Sequence, residues 1–278
     1  MNRLSIDRKA KVIAALVEGN SVRATCRITG TAKGTIMRLL ADVGIACAKY
    51  QDIYLRKLPS RLIQCDEIWS FCYAKQKNVP ENKQGRFGFG DVWTWIAIDA
   101  DTKIVPSWLV GLRDADYAFE FMRDLQGRLG NRVQLTTDGH KVYLNAVDDV
   151  FGSEIDYEML VKLYGTELGG EKRYSPAVCN GTNSRVVTGH PDTSKISTSY
   201  AERQNLTMRM GMRRFTRLTN AFSKKVENLE HAVALHYMYY NFARPHKTLA
   251  NPYPRTPAMA AGISNHIWTI EDIVSLCG

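Results

Sequence analysis

Apolar positions keep helical spacing at both ends of the chain and strand-like spacing in its middle. Ala10, Ile13, Ala14, Leu16 and Val17 recur three and four apart after the capping residue Ser5, and predict a first helix that stops at Gly19. Ser21 opens a second, "VRATCRIT", broken at Gly30, and "AKGTIMRLLADV" predicts a third that ends at Gly44. Two short helices joined by a Gly-containing turn form the helix-turn-helix pattern, whose later helix enters the major groove with its N-terminal residues leading. Lys33, Thr35 and Arg38 are polar positions on that helix and are candidate DNA contacts; a plain three-helix packing unit is the alternative. This predicts an N-terminal domain over 1–47 and a basic connector over 48–60 that includes Pro59.

From residue 61 the texture changes. "RLIQCDEIWSFCYA" reads as a strand interrupted by Asp66 and Glu67, followed by a Gly/Asn-rich loop. "VWTWIAID" and "IVPSWLVG" form a hairpin around "ADTK", 114–129 has the apolar spacing of an amphipathic helix, and "RVQLTT" is a fourth strand ending at Asp138. A helix follows over 140–150. Residues 153–200 are rich in Gly, Ser, Thr, Pro and Asn and read as a long loop with one or two short strands. Helices are predicted over 199–219 and 224–244, and a last short one at "TIEDIVSLC". Three meandering strands followed by strands alternating with helices predict a mixed α/β sheet, in a domain spanning 61–262 with a tail over 263–278.

Charge sharpens this picture. Residues 1–60 hold eleven Lys/Arg against four Asp/Glu, and residues 200–225 hold seven against Glu202 alone, so two basic regions flank a net acidic middle within an overall charge of +9. Basic arms are the electrostatic footprint of phosphate-backbone binding, and an acidic middle suits divalent cations. The six cysteines include no C-x-x-C pair, which argues against a zinc ribbon and for reduced thiols. No apolar run is long enough for a membrane span, and a cytoplasmic, nucleoid-associated protein without membrane contact is expected.

Metal-dependent phosphodiester chemistry uses carboxylates that converge from distant segments on Mg²⁺ or similar ions. Asp66 lies inside an apolar strand, where a carboxylate is costly unless paired or metal-bound. Asp138 precedes Gly139, which is also ordinary turn chemistry, although the glycine would let the backbone turn sharply behind a ligand. Glu67 must face away from Asp66 in a strand, and a Glu67 ligand in place of Asp66 stays open. Glu202 stands at capping-box spacing from Ser199, so service to a helix N-terminus competes with metal binding. Along one helix, Glu202, Asn205, Arg209 and Arg213 would fall within about 80° of one another, a face suited to a metal ion beside a phosphate backbone.

The stretches "QCDEIWSF", "LTTDG", "STSYAERQNLTMRMGMRRFTRLTNAFSKK" and "YYNFARPHKTL", in this order, resemble transposases of the insertion-sequence-one family, and more broadly Asp-Asp-Glu transposases and retroviral-type integrases. The resemblance implies a ribonuclease-H-like core with Asp66, Asp138 and Glu202 as catalytic metal ligands for two Mg²⁺ or Mn²⁺ ions. Arg209, seven residues after Glu202, matches a basic residue that contacts DNA, and Asn205 and Arg213 join it as candidate DNA contacts. The implied activity is recognition of the terminal inverted repeats of an insertion sequence, hydrolysis of a phosphodiester and transfer of the freed 3′-OH into target DNA. The implied partners are double-stranded DNA and a second copy or more of the chain. Relatives often carry a zinc-finger segment before the helix-turn-helix; no cysteine pair precedes Ser21 here. The rival readings are a nuclease that cuts without joining, a helix-turn-helix regulator with an inactive core, and a tyrosine or serine recombinase, for which Tyr143, Tyr239 and Tyr240 supply tyrosines.

Overall fold

A computed structural model describes residues 4–164, 179–216 and 220–278. Six strands form one sheet: β1 (Leu62–Cys72), β2 (Gly90–Asp99), β3 (Ser107–Gly111), β4 (Gln134–Asp138), β5 (Asp156–Tyr164) and β6 (Cys179–Thr188), in the order β3-β2-β1-β4-β5-β6. β1, β2 and β3 are antiparallel neighbours, β4 runs parallel to β1 and β5 parallel to β4, and β6 returns antiparallel to β5. The sheet is mixed and flanked by helices, as the sequence predicts.

Two long strands after residue 155 take the place of the one or two short strands expected within a loop. β6 lies on the sheet edge and most of it is exposed, so "CNGTNSRVVT" has no buried face to impose alternation. The stretch between it and β5 lies outside the described residues. At the other edge β3 starts only at Ser107, because the backbone of Val105 bonds both ways to the side-chain amide of Asn241 (3.0 Å each) instead of to a strand.

The helices are α1 (Ile6–Val17), α2 (Val22–Thr29), α3 (Lys33–Tyr54), α4 (Ala115–Gln126), α5 (Val142–Phe151), α6 (Ser199–Gly211), α7 (Val226–Met238, continued by a π-helical turn over Tyr239–Ala243), α8 (Pro257–Ala260) and α9 (Ile270–Ser275). α4 and α5 cover one sheet face, packing Phe121, Leu125, Tyr143 and Val147 on Ile63, Cys65 and Trp95. The opposite face meets a larger helical layer, in which Ile68, Ile96 and Ile98 share a core with Met208 of α6 and Val233 and Tyr237 of α7.

That layer changes the expected domain division. α3 does not stop at Gly44. It runs on to Tyr54 through most of the stretch read as a connector. Gly44 marks a close crossing instead: a Cβ there would lie 2.5 Å from His231 Cβ and 2.6 Å from His231 Cα, so only glycine lets α3 approach α7 this nearly. Gln51 locks the crossing by donating to Cys47 O and Ala234 O. α1 packs on α9 from the chain's tail, with Val12 and Ile13 in the same core as Ile273 and Val274. The N-terminal helices and the last helix therefore belong to one hydrophobic layer with α7. Within it α2 and α3 are joined by a short turn: Ser21 caps α2 (3.1 Å to Ala24 N), Gly30 ends it at φ 64°, and α3 begins at Lys33. Lys33 and Arg38 are exposed and Thr35 is half-buried. No helix among the described residues is long and apolar enough to cross a membrane.

Candidate active site

β1 and β4 pair through Leu62↔Gln134, Ile63↔Leu135 and Gln64↔Thr136. Carried two residues further, the same offset sets Asp66 opposite Asp138, on the sheet face that α6 covers. The ladder has ended by then, so no β1–β4 hydrogen bonds fill the space between the two carboxylates. One oxygen from each of Asp66, Glu67 and Asp138 lies within 4.8 Å of the others. Glu67 does face the other side of the sheet, as alternation demands, yet beyond the end of the ladder its carboxylate joins the same cluster. Sequence reasoning treated it as a rival of Asp66; the structure brings the two together.

The electrostatics follow from this crowding. Burial, then the charge of Asp138, pushes the Asp66 carboxyl up to about 7 against the Glu67 N–H and Asn205 amide that favour its charged form. Burial and the charge of Asp138 push Glu67 up to about 7 as well. Its Oε1 is buried, and the nearby buried Tyr143 hydroxyl favours its charged form. Arg113 offsets part of the repulsion. It lies 3.2 Å from Glu67 Oε2 and 3.7 Å from Asp138 Oδ2, with its guanidinium 4.7 Å from the Trp93 ring centroid. Nothing in the local sequence flagged Arg113, which stands 46 residues from Glu67 and meets it only through the β2–β3 hairpin. Asp138 Oδ1 also accepts from His140 N at 3.0 Å. Gly139 is not at positive φ; its role is close approach, since a Cβ would sit 3.0 Å from Val161 on β5.

α6 is docked over this cluster by β1 itself. Its N-cap is Thr198, without a side-chain cap bond, and Ser199 already lies inside the helix, so the expected Ser199–Glu202 capping box is not formed. The free N–H groups of Tyr200 and Ala201 go instead to Gln64 Oε1, at 2.8 and 3.3 Å. Gln64 and Asp66 share one face of β1, so this cap aligns the next turns of α6 with Asp66. Asn205, a candidate DNA contact in the sequence, is buried and turned into the site, where its amide donates to Asp66 Oδ2 at 2.8 Å. Glu202 stands outside the three-carboxylate cluster. Its Oε1 accepts from the Thr198 hydroxyl (2.7 Å) and from the Lys162 ammonium of β5, yet it is near enough that its charge raises Asp66.

The basic face expected beyond Glu202 is only partly built. Arg209 lies half-buried on α6, whereas α6 ends at Gly211 and the exposed Arg213 begins a separate 3₁₀ turn (Arg213–Phe215), so it leaves that face. The end of the expected 199–219 helix falls partly outside the described residues. Of the tyrosines a recombinase would need, Tyr143 is fully buried and Tyr240 nearly so.

A divalent cation fits this donor set. Three hard carboxylate oxygens converge, and a cation would relieve the repulsion that raises Asp66 and Glu67.

No protein-family model matches the chain, and neither does any curated protein. Among solved structures it is similar to a piggyBac transposase synaptic complex with hairpin DNA, at 11% identity and a TM-score of 0.40, covering 98% of this chain and 69% of that one. It is also similar to a Mos1 transposase paired-end complex with the left transposon end (13% identity, TM-score 0.23, 57% of this chain and 60% of that one). A Mos1 mariner paired-end complex with Mn matches at 13% identity and a TM-score of 0.22, over 54% of this chain and 58% of that one. The chain thus spans about 60% of the length of the Mos1 chains. Likenesses this remote assign no activity; the sheet order and the carboxylate geometry carry the reading that follows.

Proposed function

We propose that this chain is a DNA transposase of the Asp-Asp-Glu kind, which recognises the terminal inverted repeats of an insertion sequence, cleaves a phosphodiester and transfers the 3′-OH into target DNA. The supporting observation is the parallel pairing of β1 with β4, which sets Asp66 against Asp138 beneath the turn of α6 that carries Asn205. Asp66, Asp138 and Glu202 would hold a pair of Mg²⁺ or Mn²⁺ ions, which when bound supply Lewis-acid stabilisation of the phosphoryl oxygens and a more acidic attacking water. Asn205 fixes the Asp66 carboxylate through its amide. Arg113 balances Glu67 and Asp138, so a dense negative site persists without the sheet end opening. Lys162 and Thr198 hold the Glu202 carboxylate beside the cluster. Lys33, Thr35 and Arg38 at the start of α3 are the proposed contacts to DNA bases and backbone, Arg209 the proposed backbone contact near the cut, and Arg213 a proposed backbone contact further from it. Joining two element ends calls for at least two copies of the chain on DNA.

The test is cleavage and strand transfer on oligonucleotides bearing the element's own ends, with Mg²⁺ or Mn²⁺. Cleavage and joining are expected, both lost in Asp66→Asn, Asp138→Asn and Glu202→Gln while DNA binding persists. Cutting with no joined product would make it a nuclease. A protein–DNA covalent adduct would overturn the proposal.

A further inference from the structure

A cavity of about 410 Å³ lies between the helix-turn-helix, the chain after α6, and α7. Among the described residues five cations line it: Arg23 and Lys33 from the N-terminal helices, Arg213, Arg214 and Lys224 from the other side. No Asp or Glu lines it among the described residues. Arg214 donates to Ser223 Oγ at 2.6 Å but forms no ion pair with a carboxylate among the described residues. Burial lowers its guanidinium to about 10, so its charge is held at a cost that an anion would relieve. Lys33 opens the 22-residue α3, whose N-cap residue Ala32 offers no side-chain cap to the first-turn N–H groups.

The rest of the wall is different in kind. Met37, Leu40, Met212 and Phe222 give it an apolar floor, and His236, 6% exposed, lines it with a buried Nε2 that has no hydrogen-bond partner. A bare phosphate would use the cations and leave the floor and the imidazole idle. We infer that this cavity binds a nucleotide, its phosphate on the five cations and its base on the apolar floor beside His236. A free nucleotide and a nucleotide of a DNA strand present the same phosphate-plus-base chemistry to it. The site stands roughly 14 Å along α6 from Glu202, at 1.5 Å per residue, and so is separate from the carboxylate cluster.

Binding is measured with fluorescently labelled 2′-deoxyadenosine monophosphate on the full chain in EDTA, which keeps the carboxylate site out of play. Saturable binding is expected, about tenfold weaker in Arg214→Gln and in Lys224→Glu, and partly restored in Arg214→Lys. Lys224 is exposed, so its substitution tests the site without touching the core. Unlabelled nucleotide should compete far better than inorganic phosphate. Stronger competition by a single-stranded oligonucleotide points to a DNA strand as the source, stronger competition by the mononucleotide to a free nucleotide, and either supports the site. Equal competition by inorganic phosphate, no binding, or unchanged binding in Lys224→Glu overturns it. Loss of cleavage activity with nucleotide binding intact would fell the transposase reading and leave this inference standing.

Discussion

Gln64 on β1 caps α6, 136 residues away: its side-chain oxygen accepts from Tyr200 N at 2.8 Å and from Ala201 N at 3.3 Å. The strand that carries Asp66 thus also sets the position of the helix that carries Glu202 and Asn205. Gln64→Ala should cost about 1–3 kcal/mol, the range for a lost buried hydrogen-bond partner and a lost cap. Urea unfolding measures that cost, and hydrogen exchange should show faster opening confined to the first turn of α6. A uniform loss of protection across the sheet would mean Gln64 serves the core and not the helix.

The raised carboxyls at the end of β1 give a signature readable without DNA. Their folded values, about 7, exceed the ordinary 3.8 and 4.5 of Asp66 and Glu67. The folded state therefore holds protons that the unfolded state has released, and these groups cost stability as pH rises from about 4 through 7. At pH 8 in EDTA, Asp66→Asn should raise stability by roughly 1–3 kcal/mol, while at pH 4 the gain should vanish. The parent chain should gain thermal stability on adding Mg²⁺ and the variant should not. A variant that still gains in full removes Asp66 from the ion's ligands.

Gly44 offers a purely steric test. With His231 backbone and Cβ atoms 2.5–2.7 Å from any added Cβ, Gly44→Ala should separate α3 from α7 and destabilise by about 1–3 kcal/mol or more, despite alanine's better helix propensity. Thermal melting decides the sign, since an exposed helical glycine would be stabilised by the same change.

His236 predicts acid sensitivity of the helical layer. Burial, helped by the Arg244 charge, lowers it from 6.5 to about 4. The unfolded chain binds this proton first, so the contribution is full above about 6.5 and is lost as pH falls toward 4, by about 3 kcal/mol at most. Unfolding free energies of the parent and of His236→Gln should converge or cross across that window. Parallel curves would place the imidazole in solvent.

The order of strands and helices was legible because burial writes period into sequence: β1, β2, α4 and α7 all have apolar faces that match the layers they meet. β6 was illegible because an exposed edge strand has no buried face, and the run of α3 past Gly44 because a glycine at a close crossing looks like a stop. Asp66, Asp138 and Glu202 stood out as charges in telling places. Glu67's approach to them, and the turn of Asn205 onto Asp66, did not, since both depend on where the β1–β4 ladder ends.

Sequence by itself determined the mixed sheet, the three N-terminal helices with their caps, and the segments that carry the carboxylates, because these follow from local period, caps and charge. Only the tertiary structure decided which of those groups meet. The β1–β4 register, the Gln64 cap and the reach of Arg113 join residues separated by 46 to 139 positions, and at such separations contact is fixed by packing that no local pattern records.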